Sequence, residues 1–179
     1  MIAQDDMSQV PLVSVLTPFY NTEAYLAESI ESVLKQTYQN WEYILVNNCS
    51  TDRSLEIANS YAQKDSRIRV HSNVRFAVNQ ACNYNGALRL ISPQSKYCKI
   101  VQADDWIFPD CLAEMVRVAE SHPSAGIVGS YRQDDVRVNC DGLPIQARWC
   151  PEKRYAGYRC CKIFSYSVRR RLLCSSRIL

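Results

Sequence analysis

Between Val10 and Tyr131, short apolar runs alternate with amphipathic stretches, and this alternation limits the fold more than any other feature of the chain. Val13 to Leu16 reads as a strand ended by Thr17-Pro18. Tyr43 to Val46, Ile68 to Val70, Tyr97 to Val101 and Ile127 to Tyr131 read as four more. Between them the spacing predicts helices over Glu23 to about Gln36, from Ser50 or Thr51 through Tyr61, over Asn79 to Leu90, and from Pro109 to His122. The first places Tyr25, Leu26, Ile30, Val33 and Leu34 on one face, with Asn21-Thr22 as its cap. Strands separated by helices of this length form βαβ units and a mainly parallel sheet, so the fold class is α/β. In such sheets ligands bind outside the carboxyl ends of the strands. Three polar clusters fall there: Pro18 to Asn21, Asn47 to Asp52, and Gln102 to Asp105.

A chain of 179 residues is one domain, or one domain with an appendage. No apolar run approaches the roughly 20 residues that span a bilayer. The acidic start, MIAQDDMSQV, has no signal-peptide layout, which predicts a cytoplasmic protein. The net charge of +3 hides a division. Residues 1–144 carry 17 acids and 12 bases, a balance of −5; residues 145–179 carry Glu152 and nine bases, a balance of +8. The nine cysteines read as reduced thiols, and their spacing makes no pair of zinc knuckles.

Glycine narrows the chemistry. The first is Gly86, so the first two strand-to-helix turns hold neither a dinucleotide-binding turn nor a P-loop. Phosphate at these strand ends needs another source of positive charge. Asp104 and Asp105, side by side after an apolar run, can hold Mg2+ or Mn2+, and the metal then neutralises a diphosphate. The plainer alternative is that one of the acids caps a turn before Pro109, with Trp106 as ordinary core.

The stretch VSVLTPFYNTEAYLAESIESVLKQTYQNWEYILVNNCSTD resembles the opening of family 2 glycosyltransferases, which have the GT-A fold, and VQADDWIFPDCLAEMV resembles that family's acid-rich turn. The resemblance covers about Pro11 to Tyr131. It implies an inverting transferase that takes a sugar from a nucleoside diphosphate donor, UDP-linked in many members, with a divalent metal. It further implies that Tyr20 stacks on the donor base, that Pro18 and Asn21 shape that wall, and that Asn48 stands where the family has a base-binding aspartate. The family pattern DDGSTD is altered here: Asn47 and Asn48 replace both acids and Cys49 the glycine, while Asp52 caps the second helix. Asp104 matches the metal-binding acid, Gln102 replaces its partner acid, and Asp105 follows. Asn73, Asn79 and Asn85 occupy plausible places in the next loop, and Arg75 is the base there that can reach a phosphate.

The expected organisation is an N-terminal extension over 1–10, a GT-A nucleotide-sugar-binding domain over 11–143, and a basic Cys/Arg-rich tail over 144–179 that does not match the family. The tail shows no clear helix period or strand alternation. It reads as a truncation before the acceptor-binding half followed by unrelated sequence, as a segment docking on the inner face of the membrane, or as an acceptor lid with Glu152 as the catalytic base. The expected partners are a nucleotide-sugar donor and a saccharide or lipid-linked acceptor, as in cell wall or polysaccharide synthesis, with no nucleic acid. Two alternatives stay open: a non-catalytic nucleotide-sugar-binding protein or truncated remnant, and an adaptor that uses only the basic tail.

Overall fold

The computed structural model describes residues 10–129 and the strand segments 132–134, 137–139, 162–165 and 168–169. The order is β1 (Val13–Phe19), α1 (Leu26–Leu34), β2 (Trp41–Asn47), α2 (Ser54–Ala62), β3 (Ile68–Ser72), α3 (Gln80–Leu88), β4 (Tyr97–Ile100), β5 (Asp105–Trp106), α4 (Cys111–Ser121) and β6 (Ile127–Gly129). Four short strands follow: β7 (Arg132–Asp134), β8 (Arg137–Asn139), β9 (Lys162–Ser165) and β10 (Val168–Arg169).

Six strands form one sheet in the order β3-β2-β1-β4-β9-β6, and every adjacent pair is parallel. β1 lies inside it and is buried at all seven positions, as a strand covered on both faces requires. Its alternation sorts the core. Val13 and Val15, with Tyr43 and Leu45 of β2, pack in the cluster that includes residues of α1, α2 and α4. Leu16, with Ile44 and Val46, joins Ala87 and Leu88 of α3 on the other face. The expected parallel α/β sheet flanked by helices is therefore the observed one.

Two local differences have physical reasons. β1 continues through Pro18 to Phe19, beyond the expected end at Thr17-Pro18. Leu16 O accepts from Val101 N, whereas Phe19 O accepts from Asn48 N, so Pro18 faces the β4 side. β4 pairs with β1 only as far as Leu16, and the proline removes no donor from the ladder. The second difference lies in the tail, where sequence patterning gave no element. β9 enters the large sheet between β4 and β6, and β10 joins a smaller sheet of order β5-β10-β7-β8.

Candidate functional site

At the carboxyl ends of β1, β2 and β4, a cleft of about 230 Å³ opens between Pro18, Phe19, Tyr20, Asn48, the 76–80 segment, Asn83, Tyr84 and Gln102. Tyr20 is 45% exposed, and its ring meets that of Phe76 edge to face with centroids 4.9 Å apart. A planar ligand entering here finds two aromatic rings whose faces or edges are accessible. Phe76 was not singled out in the sequence, because one aromatic in a polar loop has no periodic signal.

One wall is a network of asparagines. Asn48 Oδ1 accepts from Asn73 Nδ2 at 2.9 Å and from Ala77 N at 2.8 Å, while its Nδ2 donates to Ala77 O at 3.1 Å. Asn73 Nδ2 also donates to Asn83 Oδ1 at 3.0 Å. Asn47 Oδ1 accepts from Ser50 N at 2.9 Å, and its Nδ2 donates to Ser72 Oγ at 3.3 Å. Asn79 caps α3, its side chain accepting from Cys82 N at 2.8 Å, and also lines the cleft. Asn85 is exposed on α3 and is not among the lining residues.

Asn21 does not line the cleft. It stitches the first two strand-end loops together, taking the N–H of Thr51 on Oδ1 at 2.8 Å and donating its own N–H to Ser50 Oγ at 3.1 Å. Asp52 completes the seam: Oδ2 accepts from Glu23 N and Oδ1 from Ser54 N, each at 3.0 Å. Its role is structural, through both loops. Asn21 and Cys49 have φ of 49° and 61°, the left-handed region. Asparagine tolerates it, but a cysteine there carries strain that glycine avoids. Arg75 is exposed beside Phe76 and is not among the lining residues.

The opposite wall is the acidic turn after β4. Three buried polar residues of α1 and its end hold the segment that follows: Ser29 Oγ donates to Gln102 O at 3.1 Å, Ser32 Oγ accepts from Ile107 N at 3.2 Å, and Gln36 bonds Phe108 O and Leu112 N at 2.7 and 2.9 Å. The sequence gives α1 an apolar face; its second task, as a rack for this turn, had no periodic signal. Tyr84 Oη donates to Gln102 Oε1 at 2.5 Å. Burial raises the Tyr84 phenol above its ordinary range, with the charges of Asp104 and Asp105 adding to the shift, so its proton stays in place.

The adjacent acids part company here. Asp104 is half-buried, whereas Asp105, the first residue of β5, is 1% exposed. Successive residues at a strand end point to opposite sides. Lys99 of β4 is also fully buried; burial pulls its ammonium down to about 8, and the charges of Cys111 and Asp105 pull it back up. Asp105 is thus a core residue that feels the Lys99 charge, and of the two acids expected to form one metal platform only Asp104 is accessible. Among the described residues no three His, Cys, Asp or Glu side chains gather as a metal cage. One accessible carboxylate beside a polar cleft still fits a divalent ion that takes its other ligands from water and a diphosphate. Glu152, the candidate base, lies outside the described residues.

A sequence profile described as "Glycosyl transferase family 2" matches residues 14–172, past the 143 boundary expected from sequence. The chain is 35% identical over 125 residues to Glycosyltransferase GlyG of Streptococcus pneumoniae serotype 4, covering 69% of this chain and 40% of that relative. Among solved structures, S. aureus TarS 1-349 in complex with UDP-GlcNAc aligns with a TM-score of 0.59 at 27% identity, over 74% of this chain and 36% of that one. The mannosyltransferase PcManGT from Pyrobaculum calidifontis, in complex with GDP-Man and Mn2+, shares the fold with a TM-score of 0.60 at 23% identity, over 73% of this chain and 37% of that one. The chain thus spans well under half the length of each of these proteins.

Proposed function

The chain belongs to glycosyl transferase family 2, and from that premise we propose that it binds a nucleoside diphosphate sugar in the Tyr20–Gln102 cleft and passes the sugar to an acceptor hydroxyl with inversion. The observation that carries this is the meeting, at the strand ends, of an aromatic pair, an amide wall and one accessible carboxylate. Tyr20 and Phe76 hold the base by stacking, with Asn48 at the same wall. Gln102, fixed by Tyr84 and Ser29, sets the far end, and Asp104 lies two residues on. When bound, Mn2+ or Mg2+ supplies positive charge that stabilises the leaving diphosphate. Asp104 is the residue that holds it there.

Inversion requires one direct displacement, so a base must take the acceptor proton as the hydroxyl attacks. The donor end of this reaction is what the described residues supply. UDP is the donor nucleoside diphosphate implied by the sequence resemblance, and the TarS complex, at 27% identity, carries UDP-GlcNAc. A saccharide or lipid-linked acceptor and a cytoplasmic location, with or without contact at the membrane's inner face, complete the proposal. Among the described residues no helix is long and apolar enough to cross a membrane.

The test is release of nucleoside diphosphate from a panel of nucleotide sugars, with Mn2+ and a broad acceptor mixture. Metal-dependent release that Asp104→Ala lowers at least tenfold is the expected result. Binding without release supports the non-catalytic alternative, and neither binding nor release overturns the proposal.

A further inference from the structure

Phe76, Ala77 and Val78 line the cleft, yet little holds the 74–78 segment in place. Val74 and Val78 are 97% and 88% exposed and Arg75 is exposed too, so burial contributes almost nothing there. Among the described residues, the hydrogen bonds of this segment are made by Ala77 alone, and both go to one side chain. Ala77 N donates to Asn48 Oδ1 at 2.8 Å, and Ala77 O accepts from Asn48 Nδ2 at 3.1 Å. A paired residue on a neighbouring strand exchanges the same two bonds. An amide suits the task because it carries an acceptor and a donor together. Asn48 is itself fixed: it is 5% exposed, and its backbone N–H donates to Phe19 O at 2.9 Å.

We infer that Asn48 is a positioning residue: it clasps the 74–78 segment so that Phe76 stands against Tyr20, and it acts on the donor through that ring. This rests on the donor-cleft reading above. The backbone of Asn48 holds Phe19, the neighbour of Tyr20, and its side chain holds Ala77, the neighbour of Phe76. One residue therefore ties together the two segments whose rings meet with centroids 4.9 Å apart. Without the clasp, Ala77 N and O turn to water, and the exposed valines supply no burial to keep the segment where it is. Phe76 then leaves its place beside Tyr20, and the donor loses one of its two aromatic contacts.

The experiment is calorimetric titration of UDP with Mn2+ into the full 179-residue chain, Asn48→Ala, Phe76→Ala and the double variant, with melting curves confirming that each folds. Asn48→Ala is expected to weaken binding at least about fivefold where Phe76 is present, the scale of one lost stacking contact. Where Phe76 is already Ala, the same change should weaken it less than about twofold, because residues that act as a unit are not additive. Additive effects overturn the inference, since Asn48 then reaches the nucleotide without Phe76. UDP binding unchanged by either single substitution does the same, and both results leave the donor cleft standing. Trypsin reads the clasp itself: cleavage of the Arg75–Phe76 bond should rise at least about tenfold in Asn48→Ala, and an unchanged rate overturns the inference. If Asn48→Ala does not fold, the unsubstituted chain decides: saturating UDP with Mn2+ should slow that cleavage at least about fivefold, and no slowing overturns the inference. Failure of the unsubstituted chain to bind UDP defeats the donor-cleft reading, and the inference with it.

Discussion

The β2–β3 wall of the cleft is neutral, and its asparagines spend their amides on one another and on backbone; the β4 wall is charged, and helix side chains hold it from behind. On the first, Asn48, Asn73 and Asn83 form one connected amide system, and Asn47 beside them bonds Ser50 N and Ser72 Oγ. On the second, Asp105 sits in the core with Lys99, while Ser29, Ser32 and Gln36 fix the turn so that Asp104 stays accessible. The neutral wall suits an uncharged base, because its amides carry no net charge and are held by one another, by hydroxyls and by backbone. The charged wall is the one the proposed function assigns to the diphosphate. A buried ion cluster is also the more expensive device, because removing one partner leaves the other uncompensated.

The largest effect is therefore expected at Asp105. Asp105→Asn leaves Lys99 buried without that charge and should destabilise the fold by about 3–5 kcal/mol in denaturant unfolding; a loss below about 1 kcal/mol breaks the contrast between the walls. Lys99 adds a pH signature. Its folded value of about 8 lies below its ordinary 10.5, so the folded chain binds fewer protons than the unfolded chain between those values. Stability from this group rises with pH across that window. Measured at pH 7.5 and 10, the unfolding free energy of the unsubstituted chain should gain on that of Lys99→Met.

The neutral wall responds less. Asn73→Ala takes a donor from Asn48 and from Asn83 and should cost about 1–3 kcal/mol in chemical unfolding. The smallest effect has the opposite sign. Cys49→Gly relieves a left-handed residue, a conformation costing about 1–2 kcal/mol, against a glycine entropy penalty of about 0.5–1 kcal/mol. A net gain of about 0.5–1 kcal/mol in chemical unfolding is expected.

The sheet and its helices were legible because their apolar periods are those of two-sided burial. Val13, Val15 and Leu16 divide between the two cores as strand alternation demands. The strand-end clusters were legible too, since polar residues gather where the apolar runs of β1, β2 and β4 stop. What could not be read was the partner of each polar group. Asn21 reads as a pocket residue until its bonds to Ser50 and Thr51 are seen. Asp104 and Asp105 are chemically identical neighbours, and only their burial in the fold separates them. Ser29, Ser32 and Gln36 interrupt no helical period, so their hold on the turn left no trace in the pattern. β9 was illegible for another reason: four residues, Lys162 to Ser165, are too short for alternation to stand out, and β4 and β6 supply the ladders that define the strand.

The central claim is that the cleft holds a donor nucleotide against Tyr20. Its most direct test is the affinity of UDP and CDP, with Mn2+, for the chain and for Tyr20→Ala. Aromatic stacking on a base contributes about 1–3 kcal/mol, so the account predicts saturable binding in the unsubstituted chain and affinity at least about fivefold weaker in the variant, with little change in melting temperature because Tyr20 is 45% exposed. Equal affinity in the two proteins would contradict it, placing the nucleotide somewhere other than this cleft.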